Sequence, residues 1–231
     1  MKKILISLSL FMSALTLSAQ SKVGTVSLIP KIGVSLSNLV NNDLIYGNVT
    51  AEATRQATRQ AGFAGGLEAA YQVTDQVAVS LAAMYSQAGC RYKDYEAVVD
   101  EGNHVGVSGW RYRLQYIQVP VMFNVYVAPG LAVKAGVQPG FLLDANYAIK
   151  EQPIAVSKTG EKTYGTITRT EDDKKDVYHS FDFSVPVGVS YEYMNVVLDA
   201  RYNFGVTHVF KQGGNCRNSI IDVTVGYKFD L

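Results

Sequence analysis

Histidine, cysteine and tryptophan are scarce: 231 residues carry three His, two Cys and one Trp. Two cysteines, Cys90 and Cys216, allow one pairing and contain no C-x-x-C, so neither a disulfide scaffold nor a thiolate metal site is encoded. Excess charge of one sign is also missing. Lys and Arg number 21 against 20 Asp and Glu, which leaves no basic field to attract nucleic acid. Beyond the amino terminus no stretch reaches 18 apolar residues, and this excludes a helical membrane bundle. What is present is 48% hydrophobic and 11% aromatic, too apolar for a disordered chain.

The amino terminus has the layout of a secretory signal peptide. Met1-Lys2-Lys3 is basic, residues 4–17 carry no charge, and Ser18-Ala19-Gln20 supplies small residues for a cleavage site. About 14 apolar residues fall short of the roughly 20 that a spanning helix needs. The expected organisation is therefore a signal peptide over residues 1–20 and one domain over 21–231. No cysteine follows the cut, so lipid modification there is not expected. Export is also the setting in which a Cys90–Cys216 disulfide could persist.

In place of a 3.6-residue stripe, the chain alternates with a period of two in eight segments: 26–36, 61–71, 77–85, 117–125, 131–143, 181–191, 196–204 and 221–231. One parity of each segment is free of charge, as in Phe181, Phe183, Val185, Val187, Val189 and Tyr191. The other holds Gly, Ser and Ala together with Lys31, Glu68, Gln118, Lys134, Asp182, Asp199, Arg201, Asp222 and Lys228. A Lys or Arg turned to the bilayer midplane costs roughly 2–4 kcal/mol, so this sorting is what lipid outside and a polar lumen inside demand. A sheet in lipid must also close, because an open edge leaves backbone groups without partners.

The connections agree with this. Short links near 72–76, 127–130 and 192–195 alternate with long ones at 37–60, 87–110, 145–177 and 206–218, the pattern of periplasmic turns and external loops. The expected fold is all-β: a closed antiparallel up-and-down transmembrane β-barrel of eight strands in the outer membrane. Ten strands is the alternative, with an extra hairpin in 145–177. Tyr71, Tyr126, Tyr191 and Tyr227 read as the girdle at the turn end, and Tyr85, Trp110, Phe181 and Phe204 as the girdle at the loop end. Pro30, Pro120, Pro139 and Pro186 fall inside strands, where each removes a ladder donor, so bulges or ladder gaps are expected there.

With the strands laid out, the chain resembles the PorT-like outer-membrane β-barrel family over nearly all of residues 25–231 apart from the loops. Lys31-Ile32-Gly33-Val34-Ser35-Leu36-Ser37-Asn38 is similar to the family's opening strand. Tyr116-Ile117-Gln118-Val119-Pro120-Val121 resembles its Y-L-E-I-P-L signature, with Gln118 where Glu is usual. Lys134-Ala135-Gly136-Val137-Gln138-Pro139-Gly140 resembles its A-G-x-Q-x-G segment. The order and spacing of these motifs carry the resemblance. It implies an outer-membrane barrel; the name-giving member is associated with type IX secretion, and most members have no assigned activity. No functional residue transfers from it.

Catalytic chemistry finds little support. His104, His179 and His208 all lie at or beyond the loop ends. His179 and Ser180 are adjacent and so point to opposite faces, which rules them out as a lipid-facing pair. Asp172, Asp173 and Asp176 share a loop with Lys174 and Lys175 and read as solvated. No catalytic residue, metal or cofactor is expected. Lys31, Glu68, Gln118, Lys134, Asp182, Asp199 and Arg201 are read as a structural lumen network, because an eight-stranded barrel is just wide enough for its side chains. The loops, including a tandem Ala-Thr-Arg-Gln repeat within 53–61, are the expected working surface. Expected partners are outer-membrane lipid, the barrel-assembly machinery through the C-terminal strand, and other envelope proteins. The leading function is a non-enzymatic barrel presenting an interaction surface. A secretion or assembly component comes second, and a lipid-modifying or proteolytic enzyme third.

Overall fold

The structure, a computed structural model, describes residues 21–41, 57–173, 175–212 and 215–231. The expected signal peptide at 1–20 and the first half of the tandem repeat lie outside the described residues. The described strands are β1 (Val26–Val40), β2 (Gln60–Thr74), β3 (Val77–Arg91), β4 (Tyr95–Asp100), β5 (Asn103–Gln118), β6 (Val121–Ala128) and β7 (Leu131–Val156). They continue with β8 (Lys162–Tyr164), β9 (Thr168–Asp172), β10 (Phe181–Tyr193), β11 (Val196–Gly205), β12 (Arg217–Tyr227) and β13 (Phe229–Asp230). Among the described residues no helix is long and apolar enough to cross a membrane.

Antiparallel pairing runs β1-β2-β3, then to β5 and β6 as one interrupted stave, then β7-β10-β11-β12 and back to β1. The β7–β10 ladder, Phe181↔Phe141 to Tyr191↔Leu131, closes the ring. β13 continues the line of β12 against β1. Among the described residues the staves number eight. The extra hairpin of the ten-strand alternative does exist, as β8 and β9, but both pair only with the upper part of β7 and stay outside the ring.

Three turns at one end are two residues long. Asp75-Gln76 joins β2 to β3. Pro129-Gly130 joins β6 to β7, with Gly130 at φ 73°, and Met194-Asn195 joins β10 to β11 at φ 46° and 66°. Positive φ at both central residues matches the right-handed twist of the flanking strands, and this makes the last a tight hairpin without glycine. At the other end two of the expected loops are mostly strand. Residues 87–110 contain the end of β3, all of β4 and half of β5, while 145–156 extend β7 to 26 residues.

The four prolines sit where the ladder is interrupted. Pro120 occupies the break between β5 and β6, Pro139 faces that break from β7 between Val137↔Val121 and Gly140↔Gln118, and Val119 N–H donates to Pro139 O (2.8 Å). Pro186 falls in the unpaired step between Ser184↔Gln138 and Val187↔Ala135. Pro30 faces the gap between β12 and β13, where Lys228 N–H donates to Asn195 O (2.7 Å). Each missing donor thus falls where no partner strand needs it.

Sidedness follows the period of two. Val187 and Val225 are 39% and 42% exposed, whereas Lys134 and Arg201 are 3% exposed. Tyr71, Tyr227, Phe181 and Phe204 point outward as girdle residues. Tyr126 and Trp110 correct the expectation. Tyr126 lies on the inward parity and lines a lumen cavity, and Trp110 is buried in an aromatic cluster at the loop end. Trp110 follows the bulge at Gly109 (φ 60°), which turns its side chain inward.

Candidate functional site

The lumen is layered from the turn end upward. In the lowest layer Lys228 Nζ donates to both Glu192 oxygens (3.1 and 2.9 Å), and Ser21 and Ser27 donate to Asp230 Oδ1 (2.8 and 2.6 Å). A cavity of about 20 Å³, lined by Gln72, Asn124 and Tyr126 among others, has room for one water above this layer.

The next layer is a closed ring of charge. Lys31 Nζ lies 2.5 Å from Glu68 Oε2 and 3.2 Å from Asp199 Oδ2; Lys134 Nζ lies 2.6 Å from the same Asp199 oxygen and 3.4 Å from Glu68 Oε1. Arg201 Nε stands 3.1 Å from Asp199 Oδ1, and Asp222 is its cross-strand neighbour. Three cations therefore face three anions. Their length is accommodated by glycine. Lys31 is flanked in register by Gly66 and Gly226, and a Cβ on Gly226 would come 2.8 Å from Lys31 Cγ. Gly188 does the same between Lys134 and Arg201.

Five of the seven lumen residues read from the sequence thus meet: Lys31, Glu68, Lys134, Asp199 and Arg201. Asp182 stands in a higher layer, where it accepts from Asn218 Nδ2 (3.0 Å) and Thr207 Oγ1 (3.3 Å), and Asn218 also reaches Tyr116 Oη (3.4 Å). Gln118 is buried across Gly140 from Asp182, so a carboxylate at 118 would face a second one. Asn203, which donates to Asp222 Oδ2 (2.6 Å), belongs to the network and was not read as a site residue.

Above Asp182 the lumen turns apolar. Leu39, Cys90, Tyr92, Trp110, Leu114 and Tyr178 form part of one buried cluster, with Tyr92 stacked on Trp110 at 4.4 Å and Tyr178 against Phe210 at 5.1 Å. Cys90 and Cys216 both lie in this cluster as free thiols, so the bridge that the sequence left open is not formed. Burial pushes both thiols up to about 12. This cap closes the outer mouth. Its sequence signal was the continuation of the inward parity through Ala88, Cys90, Leu114 and Tyr116.

Beyond the mouth, β4, β5, β7, β8 and β9 form an external sheet. Glu96 on β4 accepts from His104 Nδ1 (2.5 Å) and from Lys162 Nζ (2.9 and 2.8 Å), and these hydrogen bonds hold its carboxyl below the usual range. Val98, Val99 and Tyr164 are exposed on this sheet and Ile167 on the link between β8 and β9; Val99, Val105, Pro153 and Tyr164 line a cleft of about 460 Å³. His179 contributes its backbone N–H to Val209 O (2.9 Å). Among the described residues no three His, Cys, Asp or Glu side chains gather as a metal site.

The model of a family described as "Outer membrane protein beta-barrel domain" matches residues 18–211. Among solved structures, the chain is similar to Ail, the attachment invasion locus protein of Yersinia pestis. That match has 12% identity, covers 90% of this chain and 99% of Ail, and has a TM-score of 0.43. It is similar to the neisserial surface protein NspA (15% identity, 88% and 97% covered, TM-score 0.45). A third is OprG of Pseudomonas aeruginosa (12% identity, 91% and 98% covered, TM-score 0.38). No curated protein matches the chain.

Proposed function

The chain belongs to the outer membrane protein beta-barrel domain family and resides in the outer membrane, and from that premise we propose that it acts without catalysis, presenting its external sheet as an interaction surface. The observation that carries this reading is the contrast between a filled lumen and an elaborated exterior. Ion pairs and the aromatic cap occupy the interior, and a conduit through it would have to break both. Outside, β5 and β7 stay paired up to Asn103↔Ala155, 14 residues past the girdle residue Phe141 on β7. That is about 45 Å of strand by contour at roughly 3.3 Å per residue. Such an extension serves no purpose in crossing a bilayer. It displays β4 and the apolar side chains around Val98 and Tyr164, a patch of the kind that marks contact sites.

The test is capture from detergent-solubilised envelope with the full chain and with a variant in which residues 95–108 are replaced by a short turn. Partners recovered by the full chain and lost by the variant support the reading; an unchanged set of partners overturns it. A second reading, a PorT-like component of secretion machinery, is favoured by the strand motifs around Lys31 and Tyr116. It would show as co-purification with other secretion components that survives loss of the external sheet.

A further inference from the structure

We propose that three arginines on the outer wall just above the girdle, Arg91, Arg111 and Arg113, form a docking site for the phosphate groups of a lipid head group in the outer leaflet. Arg91 and Arg111 are direct cross-strand partners on β3 and β5, and Arg113 lies on the same face two residues along β5. Its cross-strand partner is Gly89, which offers no side chain, so the three guanidiniums border a notch floored by backbone. Gly89 cannot be filled without distortion: its φ is 131°, and a Cβ there would come 2.0 Å from Tyr112 O.

The position along the barrel is fixed by the girdle. Tyr85 pairs with Ile117, and its hydroxyl donates to Gln115 Oε1 (2.7 Å) while accepting from Gln87 Nε2 (3.3 Å), a polar seam where the oily band ends. Arg113 is four residues above Ile117. At a rise of roughly 3.3 Å per residue and a tilt of about 40° this is about 10 Å up the axis, in the head-group layer.

Like charges directly opposite each other on a sheet repel, and such a pair persists where an anion is supplied. Among the described residues no carboxylate makes an ion pair with any of the three. The nearby acids are engaged elsewhere: Asp144 accepts from Gln115 Nε2 (3.1 Å), Asp94 accepts the Gly109 N–H (3.0 Å), and Glu171, across Ala148 from Arg111, pairs with Arg169 (3.0 Å). Arg111 Nε is buried and has no hydrogen-bond partner. Planar guanidinium forks match phosphate oxygens in pairs, and a lipid whose acyl chains lie on Val121 and Phe141 below would bring its phosphates to this level.

The test uses the folded full chain in nonionic detergent, titrated with bisphosphorylated lipid A, with the same lipid after enzymatic removal of both phosphates, and with inorganic phosphate. The expected result is saturable binding of the phosphorylated lipid, with the dephosphorylated lipid and inorganic phosphate at least about tenfold weaker. The Arg91→Gln/Arg111→Gln/Arg113→Gln variant, checked for folding by its heat-modifiable migration, should lose that preference, while Lys162→Gln at the distant tip should keep it. If the triple variant does not fold, Arg113→Gln, the exposed member on β5, should show a smaller loss of the same kind. Equal binding of phosphorylated and dephosphorylated lipid, or an arginine variant that binds as the native chain does, overturns the proposal. Binding of inorganic phosphate as strong as that of the lipid overturns it in favour of a free-anion site.

Discussion

The charges inside this barrel are held by mutual pairing, and single side chains should reveal it. Asp199 is shared by Lys31, Lys134 and Arg201, and Glu68 by both lysines. Removing Lys134 as Lys134→Met leaves a buried carboxylate underpaired, and a broken buried pair costs roughly 3–5 kcal/mol. Urea unfolding in detergent should read a loss of that order, while Lys162→Met, at an exposed pair, should change little. The cap makes a second prediction. Thiols pushed up to about 12 are almost wholly protonated near neutrality, and both are buried. Cys90 and Cys216 should resist maleimide in the folded protein and both react once it is unfolded without reductant. Failure to react on unfolding would mean that they are bridged.

At the scale of elements, the membrane-crossing part of every stave was legible, because lipid on one face and a lumen on the other impose a period of two that nothing else in the chain competes with. The tight turns were legible for the same reason. Reading stopped where the lipid stops. Above Tyr85 and Phe141 the outward face meets water and head groups and the inward face becomes apolar, so Leu39, Cys90, Leu114 and Ile149 face inward where the pattern below them had put polar residues. Residues 87–110 and 145–156 therefore read as loops although they are largely strand. Of the site, the ionic ring was visible as inward charges, but not the separation of Asp182 from it, which depends on register. The external sheet offers its own test. Glu96 is held below the ordinary carboxyl value by Lys162 and His104, so its contribution to β4–β8 order is present above the unfolded value and lost as pH falls through the lower folded one. Hydrogen exchange of β4 in the native chain and in Glu96→Gln should differ at about pH 6 and converge in strong acid. A difference that persists in acid would assign it to another cause.

The molecule as a whole is an inverted solid, oily outside and ionic within, closed at its outer mouth by aromatic packing. Val225→Arg would place a cation in hydrocarbon at a cost of roughly 2–4 kcal/mol and should impair assembly, read as loss of the heat-modifiable band. Inversion itself is measured most directly by depth quenching. In a Cys90→Ala/Cys216→Ala background, Val187→Cys, Val225→Cys and the inward Ser184→Cys would each carry a fluorophore in vesicles of brominated lipid. The account predicts strong quenching at 187 and 225 and none at 184. Quenching at 184 with none at the two valine positions would contradict it.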